Sequence, residues 1–193
     1  MQSKIANLIK VQPLFEEETE VINGCLLGDG TLSSSGKHYC LRVEHSINHR
    51  NYVWWKYTLL KRLTINKPKA VFSHQSIRFG TVGHPEITLM RKRWYGKDGI
   101  KKLPKYLSLS DLSVTIWFMD DGCRHRDTVD FSVHNFKVAD IKRLKSILLR
   151  KRIESTINTD SKGYRLYILK KSYSVFKRLV KPYIVKCMAY KLP

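Results

Sequence analysis

Two rhythms of apolar and polar positions run along this chain, and each occurs twice. Residues 39–45, Tyr-Cys-Leu-Arg-Val-Glu-His, alternate, and so do residues 129–135, Val-Asp-Phe-Ser-Val-His-Asn. Strict alternation predicts a strand with one buried face. Leu41 and Val43, and Val129, Phe131 and Val133, are expected to face the core. Arg42, Glu44 and Ser46, and Asp130, Ser132 and His134, are expected to face outward. A helical spacing follows each strand, over residues 52–63 and again over 138–153, where Ile141, Leu144 and Leu148 form an apolar stripe among basic residues. Two short strands are then expected near 70–72 and 76–82, and near 155–158 and 164–169. A closing helix follows near 85–95 and near 172–180.

An apolar run ending in Asp-Gly stands ahead of each set. The first is Cys25-Leu26-Leu27-Gly28-Asp29-Gly30 and the second is Trp117-Phe118-Met119-Asp120-Asp121-Gly122. Each half also closes on Lys-Leu-Pro, at Lys102-Leu103-Pro104 and at Lys191-Leu192-Pro193. Asp29 to Lys102 is 73 positions and Asp121 to Lys191 is 70, so the two landmarks recur at matched separation. A repeat of this kind is read as a duplicated structural unit. The chain therefore divides into residues 1–104 and 105–193, with a short join over 105–111. Each half reads helix, strand, helix, strand, strand, helix.

The first apolar run opens near Phe15 with Glu16, Glu17, Glu18 and Glu20, acids that suit the positive end of a helix dipole. Gly24 and Gly28 lie four apart on one face, where a second helix could approach closely, and Gly30 sits where a helix stop is expected. The second run, 112–119, is apolar nearly all round. Its counterpart of Gly24 is Ile116, and Trp117 replaces Cys25, so the two helices are not interchangeable.

Charge narrows the function. Lys plus Arg number 36 against 16 Asp plus Glu, a net of +20 spread over both halves. Such an excess opposes compaction unless a polyanion neutralises it, and a folded basic surface facing phosphates is the natural reading. With 42% apolar residues the chain can bury a core. No apolar run reaches the ~18 residues of a membrane span. Residues 1–12 resemble neither a secretory signal nor a transit peptide, so the protein is expected to work where it is made. Cys25, Cys40, Cys123 and Cys187 form no Cys-x-x-Cys pair and the histidines are scattered, which argues for reduced structural thiols and against a zinc site.

If the halves are related by a pseudo-two-fold axis, the two apolar helices would be each other's partner and their terminal acids, Asp29 and Asp121, would meet. Two buried carboxylates repel unless a cation lies between them. Magnesium accepts carboxylate and water oxygens together with substrate phosphate, the composition of a metal-dependent phosphodiester-cleaving site.

The two runs resemble the paired signature helices of the LAGLIDADG homing endonucleases, in particular the monomeric members with two motifs. Lys181-Pro182-Tyr183 followed by Tyr190-Lys191-Leu192-Pro193 is similar to the ending of the mitochondrial intron-encoded branch. The resemblance covers residues 15–193. It implies an α+β fold of two pseudo-symmetric α-β-β-α-β-β-α lobes, each with a saddle-shaped antiparallel sheet over the DNA major groove. It implies cleavage of both strands of a long, non-palindromic site by a monomer. Carried onto this chain, Asp29 and Asp121 hold Mg2+ (Mn2+ being the alternative), with the carbonyls of Gly28 and Asp120 as secondary ligands. Lys102 and Lys191 occupy the positions of the lysines beside the metal, with Lys101 a rival to Lys102.

On the outward strand faces, Arg42, Arg78, Arg165 and His134 are donors suited to guanine edges, Glu44 and Asp130 are acceptors for cytosine, and Ser46 and Ser132 are adaptable. Lys67, Lys69, Lys137, Lys142 and Lys162 are assigned to phosphates. Trp54, Trp55 and Tyr57 are read as core. The competing function is an intron RNA maturase on the same fold. The retention of both acids favours cleavage of double-stranded DNA. An organelle or a bacterial cytoplasm would suit either role.

Overall fold

The computed structural model describes residues 2–193; Met1, where the N-terminal stretch read as leaderless begins, lies outside them. The chain forms two compact units, Met1–Lys92 and Arg93–Pro193. In the first, α1 (Gln2–Lys10) precedes α2 (Glu16–Leu27), β1 (Thr31–Ser35), β2 (His38–Ser46), α3 (Arg50–Leu59), β3 (Lys69–Val71), β4 (Ser76–Gly80) and α4 (Pro85–Trp94). In the second, α5 (Asp111–Asp121) leads into β5 (Gly122–His125), β6 (Thr128–Ser132), α6 (Val138–Arg150), β7 (Ser155–Asp160), β8 (Gly163–Ile168) and α7 (Lys170–Val180), followed by a 3-10 turn at Lys186–Lys191. From α2 and from α5 onward, both units read α-β-β-α-β-β-α. Each sheet is antiparallel with four strands, in the orders β1-β2-β4-β3 and β5-β6-β8-β7.

The repeat unit gains one strand over the elements expected from hydrophobic pattern. β1 and β5 occupy the segments between each Asp-Gly and the alternating strand, where the pattern predicts no element. β1 is Thr-Leu-Ser-Ser-Ser and buries Leu32, while β5 exposes Cys123 and Arg124. A short edge strand needs a partner's backbone on one side only, so its hydrogen bonds form without apolar alternation. α1 was likewise not expected from the sequence; it sends Ile9 into the core.

In the first unit, Leu41 and Val43 of β2 and Ile77 and Phe79 of β4 point to the helix layer, where α3 crosses both strands. Tyr57 meets Phe79 edge to face at 5.7 Å. Trp55 stacks near Tyr52, whereas Trp54 is 39% exposed and packs its edge on Tyr57. The entry to α2 is latched from a distance. Glu18 is buried, takes the Phe15 backbone N–H at 2.8 Å, and pairs through both oxygens with Arg62, which also donates to Gln12 and to the Pro13 carbonyl. That hydrogen bond to Glu18, aided by the opposite charge, holds the Arg62 pKa above its ordinary value.

In the second unit an aromatic cluster forms the centre. Trp117 lies 4.1 Å from Phe131 by ring centroids, and Phe118 meets Phe131 and Phe176 edge to face. Each ring contributes about 2–3 kcal/mol by burial. The connection at 103–105 is fastened to α6: Asp140 accepts from Leu103 N–H, and Arg143 donates to the carbonyls of Leu103, Pro104 and Lys105. Residues 93–104, assigned from the sequence to the first half, thus cluster with the second unit. No helix among the described residues is long and apolar enough to cross a membrane.

Candidate nuclease site

Each acid stands at the end of a helix buried along most of its length, Asp121 as the last residue of α5 and Asp29 two residues past α2, and a tightly packed glycine comes next. α2 is closed by the Gly28 N–H to the Gly24 carbonyl (3.3 Å), and Gly30 N–H donates to Cys25 at 2.8 Å, leaving Asp29 exposed on the turn. At the end of α5, Gly122 N–H donates to Phe118. A Cβ on Gly30 would stand 2.7 Å from the Cys25 Cβ and 2.8 Å from its carbonyl oxygen. On Gly122 it would stand 2.1 Å from the Phe118 ring and 2.5 Å from its carbonyl oxygen. Neither glycine has positive φ, so a left-handed conformation is not what selects glycine at the helix stop expected at Gly30. The chain leaves the helix so close to its last turn that a side chain has no room.

Asp29 faces a histidine that the sequence reading passed over. His45 Nδ1 lies 3.5 Å from Asp29 Oδ2; the histidine side chain is 8% exposed and the carboxylate 50%. His45 continues the inward row of Leu41 and Val43. On its far side, Nε2 is 3.1 Å from Nζ of Lys56, which is fully buried in α3 and lies 4.4 Å from the centre of the Tyr52 ring. A signal was present: Lys56 sits on the stripe of Tyr52, Val53, Tyr57 and Leu60, where an apolar residue is expected.

At the end of α5, Asp120 and Asp121 are half-buried. Lys191 returns from the C-terminal 3-10 turn and donates to the carbonyls of Met119 (2.6 Å) and Asp120 (2.8 Å). Carbonyls of a last helical turn lack intrahelical donors, and the helix dipole favours a cation there. The Asp120 carbonyl, expected as a metal ligand, therefore accepts from an ammonium. Lys102 is exposed, with its backbone N–H on the Trp94 carbonyl, whereas Lys101 is half-buried in a bridge with Tyr95.

The strand residues divide. On the first sheet Arg42, Glu44, Ser46 and Arg78 are exposed as expected. Arg42, Glu44 and Arg78, with Lys67 and Lys69, line a groove of about 330 Å³. Glu44 accepts from Ser76 and lies 3.9 Å from Arg78. On the second sheet His134 is exposed and half-exposed Ser132 bonds its Nδ1 at 2.6 Å. Asp130 corrects its expectation. It lies on the polar face, yet its carboxylate is 2% exposed beneath Arg165, with His125 at 3.8 Å and the Cys123 thiol donating at 3.2 Å. Alternation assigns a face, and neighbouring strands decide whether that face is open. A carboxylate held this way is a support for Arg165, not an acceptor offered to a base. Burial opposes the Arg165 charge, but the hydrogen bond and charge of Asp130 outweigh it and hold the guanidinium above its ordinary pKa. Burial, then the Asp130 contact, pushes the Cys123 thiol up.

The fold is that of proteins solved on DNA. The homing endonuclease I-WcaI, bound to its recognition sequence, superposes with a TM-score of 0.84 at 20% identity, over all of this chain and 92% of that one. I-DmoI in complex with DNA and Mn aligns with a TM-score of 0.57 at 14% identity, over 88% of this chain and 98% of that one. Sequence comparison takes the assignment further. Residues 19–176 match the model of the LAGLIDADG DNA endonuclease family, and the chain belongs to that family. It is 30% identical to the cytochrome b mRNA maturase bI2 of Saccharomyces cerevisiae, over 94% of this chain and 48% of the yeast protein. It is 30% identical to the Debaryomyces hansenii protein of the same name, over 99% and 78%. It is 25% identical to the DNA endonuclease I-ChuI of Chlamydomonas applanata, over 93% and 95%. The chain thus spans about half of the first yeast relative and nearly all of the algal one.

Proposed function

We propose that this chain is a site-specific double-strand DNA endonuclease that hydrolyses phosphodiester bonds at a long, non-palindromic target with a divalent metal. The observation that carries this reading is the pair of acids, Asp29 and Asp121, each set at the end of a buried helix by a glycine that tolerates no side chain. Their donor chemistry fits Mg2+ or Mn2+: carboxylate and carbonyl oxygens are hard ligands, and the Asp29 carboxylate keeps half its surface open. Asp29 and Asp121 would hold the ion, with the carbonyls of Gly28 and Asp120 beside them. A bound divalent ion lowers the pKa of water and neutralises phosphate charge. Lys191 holds an ammonium at the end of α5, where negative charge would gather. Arg42, Glu44, Arg78 and Arg165 are the proposed base-reading side chains, with Ser46, Ser132 and His134 as adaptable contacts. Lys102 is the proposed counterpart of Lys191. The proposed functional lobes are 1–104 and 105–193, working as a monomer.

The yeast relatives' names favour a second reading, an intron RNA maturase, and an organelle as the compartment. One experiment separates the two. The purified chain is incubated with a randomised duplex library, with Mg2+ or with EDTA, and the ends produced are sequenced. A Mg2+-dependent cut at one long site, abolished in Asp29→Asn and in Asp121→Asn with DNA binding retained, supports the endonuclease. No cut, with tight binding to intron RNA, supports the maturase.

A further inference from the structure

Lys56 is the one lysine buried among the described residues. Burying an ammonium is costly, and a fold keeps one where it is paired and used. The repeat shows that the fold itself does not require it. Arg42 pairs with Thr31, the first residue after Gly30, and Asp130 pairs with Cys123, the first after Gly122. Arg42 and Asp130 are therefore equivalent. Three positions on, His45 answers to Val133. Fourteen positions on, Lys56 answers to Leu144. Val133 and Leu144 are both buried. The second unit fills these places with an apolar pair, and only the first puts a histidine and a lysine there.

An ammonium has three protons and no lone pair, so the 3.1 Å contact from Lys56 Nζ is a hydrogen bond only when His45 Nε2 accepts. The proton of the neutral ring is then on Nδ1, the nitrogen that faces Asp29. Tyr52 limits the choices further. Its ring lies 5.1 Å from that of His45 and offers its face to the ammonium.

We propose that Lys56 is a positioning residue for Asp29: it occupies the Nε2 lone pair of His45, locks the ring in its Nδ1–H tautomer, and so directs an N–H at the carboxylate. Groups one step removed from a metal ligand orient it in this way. The inference rests on Asp29 being an acid of the cleavage reaction, and its first readout does not depend on cleavage.

Full-length protein labelled with 15N-histidine, without metal or DNA, is examined by long-range 1H–15N correlation. The expected wild-type pattern for His45 is a protonated Nδ1 and a bare Nε2. In Lys56→Met, of similar length and without charge, the pattern moves toward the other tautomer. Single-turnover cleavage falls about 10- to 100-fold, and DNA affinity stays within about twofold. His45→Gln keeps an acceptor for Lys56 and a donor for Asp29, and should cleave faster than His45→Leu; this pair carries the test if Lys56→Met does not fold. A protonated Nε2 in the wild type overturns the proposal. So does Lys56→Met with an unchanged tautomer and rate, or equal rates in the two His45 variants. If Asp29→Asn still cuts, the endonuclease assignment of Asp29 fails, and with it the role of the relay, whatever the tautomer.

Discussion

The ammonium of Lys191 donates to the carbonyl oxygen of Met119 across 72 positions of sequence, closing the end of the helix that carries Asp121. A charged donor on an otherwise orphan carbonyl stabilises a helix end by about 1 kcal/mol. Lys191→Met should lower stability by that amount in denaturant titration. It should also slow single-turnover cleavage about 100-fold, the scale of losing one oriented donor at a reacting phosphate, while leaving DNA affinity nearly unchanged. Wild-type cleavage by this variant would remove Lys191 from the site.

The two glycines after the acids should not accept alanine. Gly122→Ala forces a Cβ to within 2.1 Å of the Phe118 ring and Gly30→Ala to within 2.7 Å of the Cys25 Cβ. Overpacking against a helix's own turn costs about 1–3 kcal/mol, more at Gly122 than at Gly30. Gly80→Ala is the control, since its Cβ would meet the Leu41 carbonyl at 3.4 Å. Thermal unfolding that ranks the three variants otherwise would contradict the close-approach account.

Glu18 and Arg62 make a two-handed pair at the entry to α2, with the glutamate side chain 5% exposed and the arginine 24%. Removing one partner of a fully buried pair costs about 3–5 kcal/mol; the partly exposed guanidinium reduces this to about 2 kcal/mol for Glu18→Gln. Replacing both, as Glu18→Leu with Arg62→Met, should recover part of the loss. A double-mutant cycle with no coupling would show that the latch contributes nothing.

Cys123 is exposed but should react slowly. Burial of its sulfur, and then the hydrogen bond and charge of Asp130, raise the thiol pKa, so less thiolate is present at any given pH than for a free cysteine. Its alkylation, followed by mass spectrometry of its own peptide, should rise with pH later than in a model peptide. Asp130→Asn removes the raising contact and leaves Arg165, so the profile should move back to lower pH. Equal profiles for wild type and variant would mean that Asp130 does not govern the thiol.

How much of this was legible in the sequence varies with the range of the interaction. The inward rows of Leu41 and Val43 and of Val129, Phe131 and Val133 followed from alternation, because a strand's pleat is local. The polar edge strands β1 and β5 did not, since an edge is held by its neighbour's backbone and leaves little apolar trace. Lys56 left a readable mark, a charge on an apolar stripe, but nothing in the sequence named His45 as its partner.

Taken by itself, the sequence determined the repeat, the paired acids at the ends of apolar helices, the basic charge and the order of the elements that carry an apolar pattern. All of these are carried by local periodicity or by recurrence along the chain. Tertiary structure decided which outward residues are open. Asp130 has the strand parity of a surface residue, yet Arg165, from a strand about 35 positions away, covers it. It also decided that Lys191 reaches the end of α5 and that Lys56 and His45 stand behind Asp29. Each of those depends on side chains brought together from distant segments, and packing of that kind has no signature in the linear pattern.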